Sequence, residues 1–206
     1  MKLHHSPGAC SLGIHVILEE IGAPFELVRV DFSKREQYGE GYLALNPKSK
    51  VPALVRDDGS VLTEYPAIAV WLGMNAPDAK LLARDADGVA RTLEAVDFVV
   101  STVHMLGFTR LFRPERFAPH VEDHDWVKQA GRETIARGFD VLARSLEGRD
   151  WLVGGYSIAD ATLFYCAFWA HKRLALPCPP AIGAHYARML ARPAVRRALA
   201  AEGLSA

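Results

Sequence analysis

Cys10, within Pro7-Gly8-Ala9-Cys10-Ser11, is the residue best placed to do chemistry. The turn signal Ser6-Pro7-Gly8 precedes it and a helical pattern follows, so its thiol falls on the first turn of a helix. Unpaired backbone N–H groups and the positive end of the helix dipole favour negative charge there, which would stabilise a thiolate. The other reading of a lone cysteine is a small buried hydrophobe, and position alone does not separate the two. Gly13 stands where C-x-x-C spacing would place a second cysteine, so Cys10 would need a small-molecule partner to resolve a disulfide.

Two further segments offer groups to a ligand. Val51-Pro52 opens a strand-like run after Asn46-Pro47-Lys48-Ser49-Lys50. About 5–6% of X-Pro bonds in folded proteins are cis, so the sequence by itself favours trans; a cis bond would turn the Val51 backbone outward to pair with an extended peptide. Thr63-Glu64-Tyr65-Pro66 begins a helix, where free N–H groups suit a carboxylate and Glu64 suits an ammonium. An ordinary acidic helix start explains the same residues.

The elements that must position these groups fall into two blocks. Residues 2–5 read as a strand, 10–22 as a helix with Ile14, Ile17, Leu18 and Ile21 on one face, and 25–30 as an alternating strand. Residues 31–50 are irregular, with a short helix near Gly39–Leu45. Val51–Val55 and Val61–Thr63 then form a hairpin about Asp58-Gly59, and Pro66 opens a helix. A β-α-β unit followed by a hairpin and a helix gives a mixed four-stranded sheet covered by helices, over residues 1–77. From about residue 86 to 206 the pattern is all-helical, with helices near 86–112, 123–147, 158–173, 180–191 and 193–201.

The 206 residues carry 24 Lys and Arg against 24 Asp and Glu, with no basic arm, which argues against nucleic acid as an obligatory partner. No stretch reads as the roughly 20 apolar residues of a membrane span, and Met1-Lys2-Leu3-His4-His5 lacks a secretory apolar region. Three cysteines without metal-like spacing suit a reducing compartment, so the cytoplasm is expected. His120 and His124 have i, i+4 spacing, but their acidic, polar flanks read as solvated surface and no metal is expected. Adjacent on a strand, His4 and His5 point to opposite faces and do not form a metal clip. Ser157-x-x-Asp160 reads as a structural capping box, and Cys166 as core.

Pro7-Gly8-Ala9-Cys10-Ser11-Leu12, Asn46-Pro47-Lys48 with Val51-Pro52-Ala53-Leu54, Leu62-Thr63-Glu64 with Ala67-Ile68, Ser157-Ile158-Ala159-Asp160-Ala161 and Arg192-Pro193-Ala194-Val195 together resemble the glutathione transferase family along the whole chain. The cysteine makes the chain similar to the bacterial beta class. The resemblance implies a thioredoxin-like N-terminal domain that binds glutathione as co-substrate, and a helical-bundle C-terminal domain that builds the electrophile site. It also implies a homodimer and detoxification of a small hydrophobic electrophile. In that picture Val51 pairs with the cysteinyl part of glutathione and Pro52 is cis. Glu64 and the Tyr65 N–H hold the γ-glutamyl end, Cys10 sits beside the sulfur and can form a mixed disulfide with it, the helix start at Cys10–Ser11 donates toward the thiolate, and Lys34 or Arg35 meets the glycyl carboxylate. Asp97 and His104, seven apart and so on one helix face, contact glutathione, with Cys10 and His104 as the catalytic pair; the other reading of His104 is a histidine packed on an apolar face among Val103, Met105 and Leu106.

The family pattern breaks at three places. Read leftward from Gly107-Phe108, His104 is one residue out of register, which an insertion at Leu106 carried as a helix bulge would reconcile. Position 5 often carries an aromatic side chain where this chain has His5. Tyr65 stands where a small residue such as serine is usual; it is a poor cap and removes a hydroxyl contact to the γ-glutamyl carboxylate. That departure keeps open an alternative function, a non-catalytic binding or scaffold protein on the same fold.

Overall fold

The computed structural model describes residues 1–205. These form two compact units: Met1–Leu82 together with the chain from Arg188 onward, and Ala83–Ala187. The first unit holds β1 (Lys2–His5), α1 (Ser11–Ile21), β2 (Glu26–Arg29), α2 (Glu40–Leu45), β3 (Ala53–Val55), β4 (Val61–Thr63) and α3 (Tyr65–Asn75). Its sheet runs β2-β1-β3-β4, with β1 parallel to β2 and the other pairs antiparallel. The β-α-β crossover and the hairpin lie where the residue pattern puts them. Gly22, with φ 71, ends α1 in the left-handed conformation that a side chain disfavours.

α1 departs from a one-faced helix. Every residue from Ser11 to Leu18 is buried, because α1 packs on β1, on α3 and also on α9 (Pro193–Ala201). Arg192 forks onto Glu20 with bonds of 2.5 and 3.0 Å, and Arg197 meets Glu19 at 2.5 Å. The expected boundary, which assigns all of 86–206 to the second domain, is therefore corrected at the C-terminus: the final helix covers the N-terminal sheet's helix layer.

The second unit contains α4 (Ala86–Asp97), which continues as a π-helix over Phe98–Phe108 and ends as α5 (Thr109–Phe112). It also contains α6 (His124–Ser145), α7 (Ile158–Phe168) with a π-helical extension through Arg173, and the start of α8 (Pro180–Ala191). The π segment packs on α6, Phe108 against Phe139 and Val103 beside Gly138, with Val99, Val103, Phe108, Ile135 and Phe139 fully or nearly fully buried. A Cβ on Gly131 would stand 2.4 Å from Leu111 Cδ1 and 2.9 Å from Gly107 O, so the glycine sets how closely α6 approaches. The π segment absorbs the extra residue expected at Leu106: the Thr109 N–H reaches back five residues to His104 O. Ser157 and Asp160 form the expected capping box.

The helical run Ala86–Phe112 is, contrary to the sequence expectation, long and apolar enough to cross a membrane by length and composition. Val99, Val103 and Phe108 of this run are core residues of the unit, whereas Met105, Leu106 and Phe112 keep exposed apolar surface.

Candidate active site

Cys10 immediately precedes α1, on the turn that leaves β1. Its Sγ donates to the Val51 carbonyl at 3.4 Å. The residue keeps some exposed surface, yet protein packs around the sulfur, and burial pushes the thiol up to about 12. The Cys10 and Ser11 N–H groups and the charge of Lys50 act in the opposite direction and are outweighed. The expected thiolate is thus corrected: the helix terminus is present, but desolvation decides the protonation state. Ser11 is also corrected. It is fully buried, and its hydroxyl exchanges hydrogen bonds with the Ser6 backbone at 3.3 Å, so it holds the turn and presents no side chain outward. Alkylation of Cys10 by iodoacetamide, read by peptide mass mapping on the unliganded protein, is expected to rise about tenfold per pH unit up to pH 10 with no plateau. A plateau below pH 8 would show that the helix terminus prevails.

The Val51–Pro52 peptide is cis, as the resemblance implies, and both residues are buried. Strand β3 begins only at Ala53, so Val51 lies just outside the ladder and its N–H is engaged by no described residue. Glu64 caps α3 with φ 70 and ψ 125, a conformation costly for a residue with a Cβ. Its carboxylate already carries an ammonium: Lys48 Nζ lies 2.8 Å from Glu64 Oε1 and donates to Thr63 Oγ1 at 2.9 Å. Glu64 and Lys50 both act electrostatically on the Cys10 thiol, so residues 10, 50, 51 and 64 share one neighbourhood. Tyr65 is buried to its hydroxyl, so its bulk folds inward and does not stand over the helix start. Lys34 is exposed in the turn after β2, among residues bound to Asp31; the lysines set beside the group are Lys48 and Lys50.

In the helical unit, His104 Nδ1 lies 3.2 Å from Tyr165 Oη, and its ring stands edge-on to Trp169 at 4.8 Å between centroids. Asp97 is exposed at the junction of α4 and the π segment. Asp97 caps the π segment that carries His104, so the seven-residue spacing between them runs through i→i+5 bonding, which widens each turn beyond the 3.6 residues of an α-helix. No group of three His, Cys, Asp or Glu side chains able to hold a metal occurs among the described residues.

Comparison with known proteins decides the family. Residues 8–74 match the model of the glutathione S-transferase N-terminal domain, and residues 99–193 that of the glutathione S-transferase C-terminal domain. The glutathione S-transferase GstA of Escherichia coli O157:H7 is 40% identical over 99% of this chain and 100% of its own. The chain belongs to the glutathione S-transferase family. Two solved structures of other glutathione S-transferases are similar to it over the whole chain. A bacterial beta class glutathione S-transferase of Sphingomonas chungbukensis is 36% identical with a TM-score of 0.85, covering 100% of both chains. A sphingomonad glutathione S-transferase complexed with glutathione is 38% identical with a TM-score of 0.83, also covering 100% of both.

One part of this transferase's site has no local sequence signal. Glu202, just past α9, buries its carboxylate beneath the Cys10 turn. Oε2 accepts the Gly8 N–H at 2.7 Å, Oε1 meets His15 Nδ1 at 2.9 Å, and His5 Nδ1 stands 3.5 Å from the same oxygen. Burial alone would raise the Glu202 carboxyl, but the bonds from His15, His5 and Gly8 hold it below its ordinary value. His5 is the buried member of the His4–His5 pair, as alternation requires, while His4 faces the Tyr42 ring at 5.9 Å. Tyr42, Asn46, Lys48 and Lys50 lie in the irregular segment 31–50, whose pattern gives no indication of their roles.

Proposed function

We propose that this transferase binds glutathione along Val51 and Glu64 and joins its thiolate to a small hydrophobic electrophile. The observation that carries this is the peptide group at Val51, with its N–H engaged by no described residue and its carbonyl 3.4 Å from the Cys10 thiol. An extended peptide thiol can pair with such a group as an added strand does. Lys48 seated on Glu64 supports the assignment of that carboxylate to the ammonium of the γ-glutamyl end, with the Tyr65 N–H at the helix start for its carboxylate. Lys50, in place of Lys34, supplies positive charge for the glycyl carboxylate. His104, held by Tyr165, is the helical unit's candidate catalytic group. The homodimer, the cytoplasmic location and the detoxifying role belong to the same reading.

Glutathione-dependent disulfide exchange is the second reading, with the Cys10 thiolate attacking a disulfide and glutathione resolving the mixed disulfide. A thiol at about 12 is ionised to roughly one part in 10⁵ at pH 7, so conjugation by glutathione's own thiol is favoured. The scaffold alternative has no observation in its favour, since the Tyr65 ring is folded inward. Calorimetric titration of the reduced protein with glutathione is expected to saturate at one site per chain, and Cys10→Ala to keep conjugation within a few-fold while disulfide reduction disappears. No heat at millimolar glutathione would overturn the proposal, and loss of conjugation in Cys10→Ala would return the chemistry to Cys10.

A further inference from the structure

The Lys50 carbonyl is held by two side chains at once. Tyr42 Oη donates to it at 2.6 Å and Asn46 Nδ2 donates to it at 2.7 Å. Asn46 is 1% exposed, and its Oδ1 accepts the Lys48 N–H at 3.2 Å, so both ends of its amide are tied into the same loop. Within that loop Ser49 has φ 53, a left-handed conformation that a serine adopts only when its surroundings impose it. Water could satisfy this carbonyl in a turn whose residues 47, 48 and 50 are exposed, yet two side chains of the protein take its place. Here both lone pairs of one carbonyl are filled from α2 and the residue that caps it.

The consequence lies one atom further along the chain. The Lys50–Val51 peptide is trans, and a trans peptide is planar, so its C=O and N–H point in opposite directions. Whatever fixes the Lys50 carbonyl therefore fixes the Val51 N–H, which no described residue engages. The next carbonyl, Val51 O, takes the Cys10 thiol.

We propose that Tyr42 and Asn46 are positioning residues that aim the Val51 N–H at the backbone carbonyl of a bound peptide thiol and so set the register of its sulfur. The inference rests on the glutathione reading above. Neither residue touches the reacting atoms; each acts through the peptide it clamps. Loosening the clamp gives the Val51 amide a range of directions, and binding must then restrict it again.

The test pairs Tyr42→Phe, which keeps the ring and removes the donor, with Asn46→Ala. For each folded variant KM for glutathione and kcat at saturation are measured with an aromatic chloronitro electrophile, and the Val51 amide is followed in ¹⁵N-labelled protein. Expected are a rise in KM of about threefold for Tyr42→Phe and about tenfold for Asn46→Ala, with kcat within twofold. In the unliganded variants the Val51 amide should exchange at least several-fold faster, with amides of β1 and α1 unchanged. Unchanged KM and Val51 exchange in Tyr42→Phe and in any folded Asn46→Ala would overturn the proposal. So would a fall in kcat alone. If the unaltered protein shows no saturation with glutathione, the glutathione reading fails; the clamp then stands or falls on the Val51 exchange rate alone.

Discussion

Glu202→Ala is expected to lower the melting temperature by roughly 10 °C, through a loss of about 3–5 kcal/mol of stability. The size follows from what the substitution leaves behind. His15, fully buried on α1, loses its carboxylate partner, and the Gly8 N–H loses its acceptor in the turn that carries Cys10. Orphaning buried polar groups in this way is far more costly than removing an exposed pair such as Lys2–Glu26. The pH dependence has a definite sign. The folded carboxyl lies below its ordinary value, so its contribution is present above the unfolded value near 4.5 and is lost as pH falls through the folded one. The variant should therefore show a flatter acid limb, converging with the unaltered protein at the lowest pH. Glu202→Gln, which can still accept from Gly8, should fall between the two. A Glu202→Ala protein that melts with the unaltered one would show that the network contributes nothing.

The distribution of such groups explains what was legible beforehand. Strands and helices within each unit follow from period-two and period-3.6 patterns, and their bounds fall within a few residues of expectation. Even the π segment is visible, as a one-residue disagreement between registers counted from Asp97 and from Gly107. What joins distant parts of the chain is not visible. Arg192 and Arg197 lie more than 170 residues from Glu20 and Glu19, and nothing in a local charge pattern says which acid a given arginine will meet. Glu202 is hidden for the same reason. Cys10 shows a different limit: sequence places it at a helix terminus, whose sign favours a thiolate, but burial is a property of the packed surroundings and outweighs it. Lys34 and Lys48 are equivalent as letters, and only the loop that returns residues 46–50 past Thr63 and Glu64 separates them.

Glu64→Ala should raise KM for glutathione by roughly 10- to 100-fold while leaving the melting temperature within about 2 °C. The two halves of this expectation rest on different magnitudes. In the unliganded protein Glu64 pairs, among the described residues, with Lys48, and both side chains are about half exposed, so the pair contributes at most about 1 kcal/mol and Lys48 without it is solvated. Alanine also keeps the Cβ, so the φ of 70 is no more strained than before. Binding differs because the γ-glutamyl ammonium must leave water to reach the helix start, and a charge-assisted hydrogen bond there is worth about 1.5–3 kcal/mol. Glu64→Gln, which retains the shape and an acceptor but no charge, should recover only part of the loss. A Glu64→Ala enzyme with unaltered KM would remove Glu64 from the site and leave it as the partner of Lys48; a large drop in melting temperature would assign it instead to holding α3 in place.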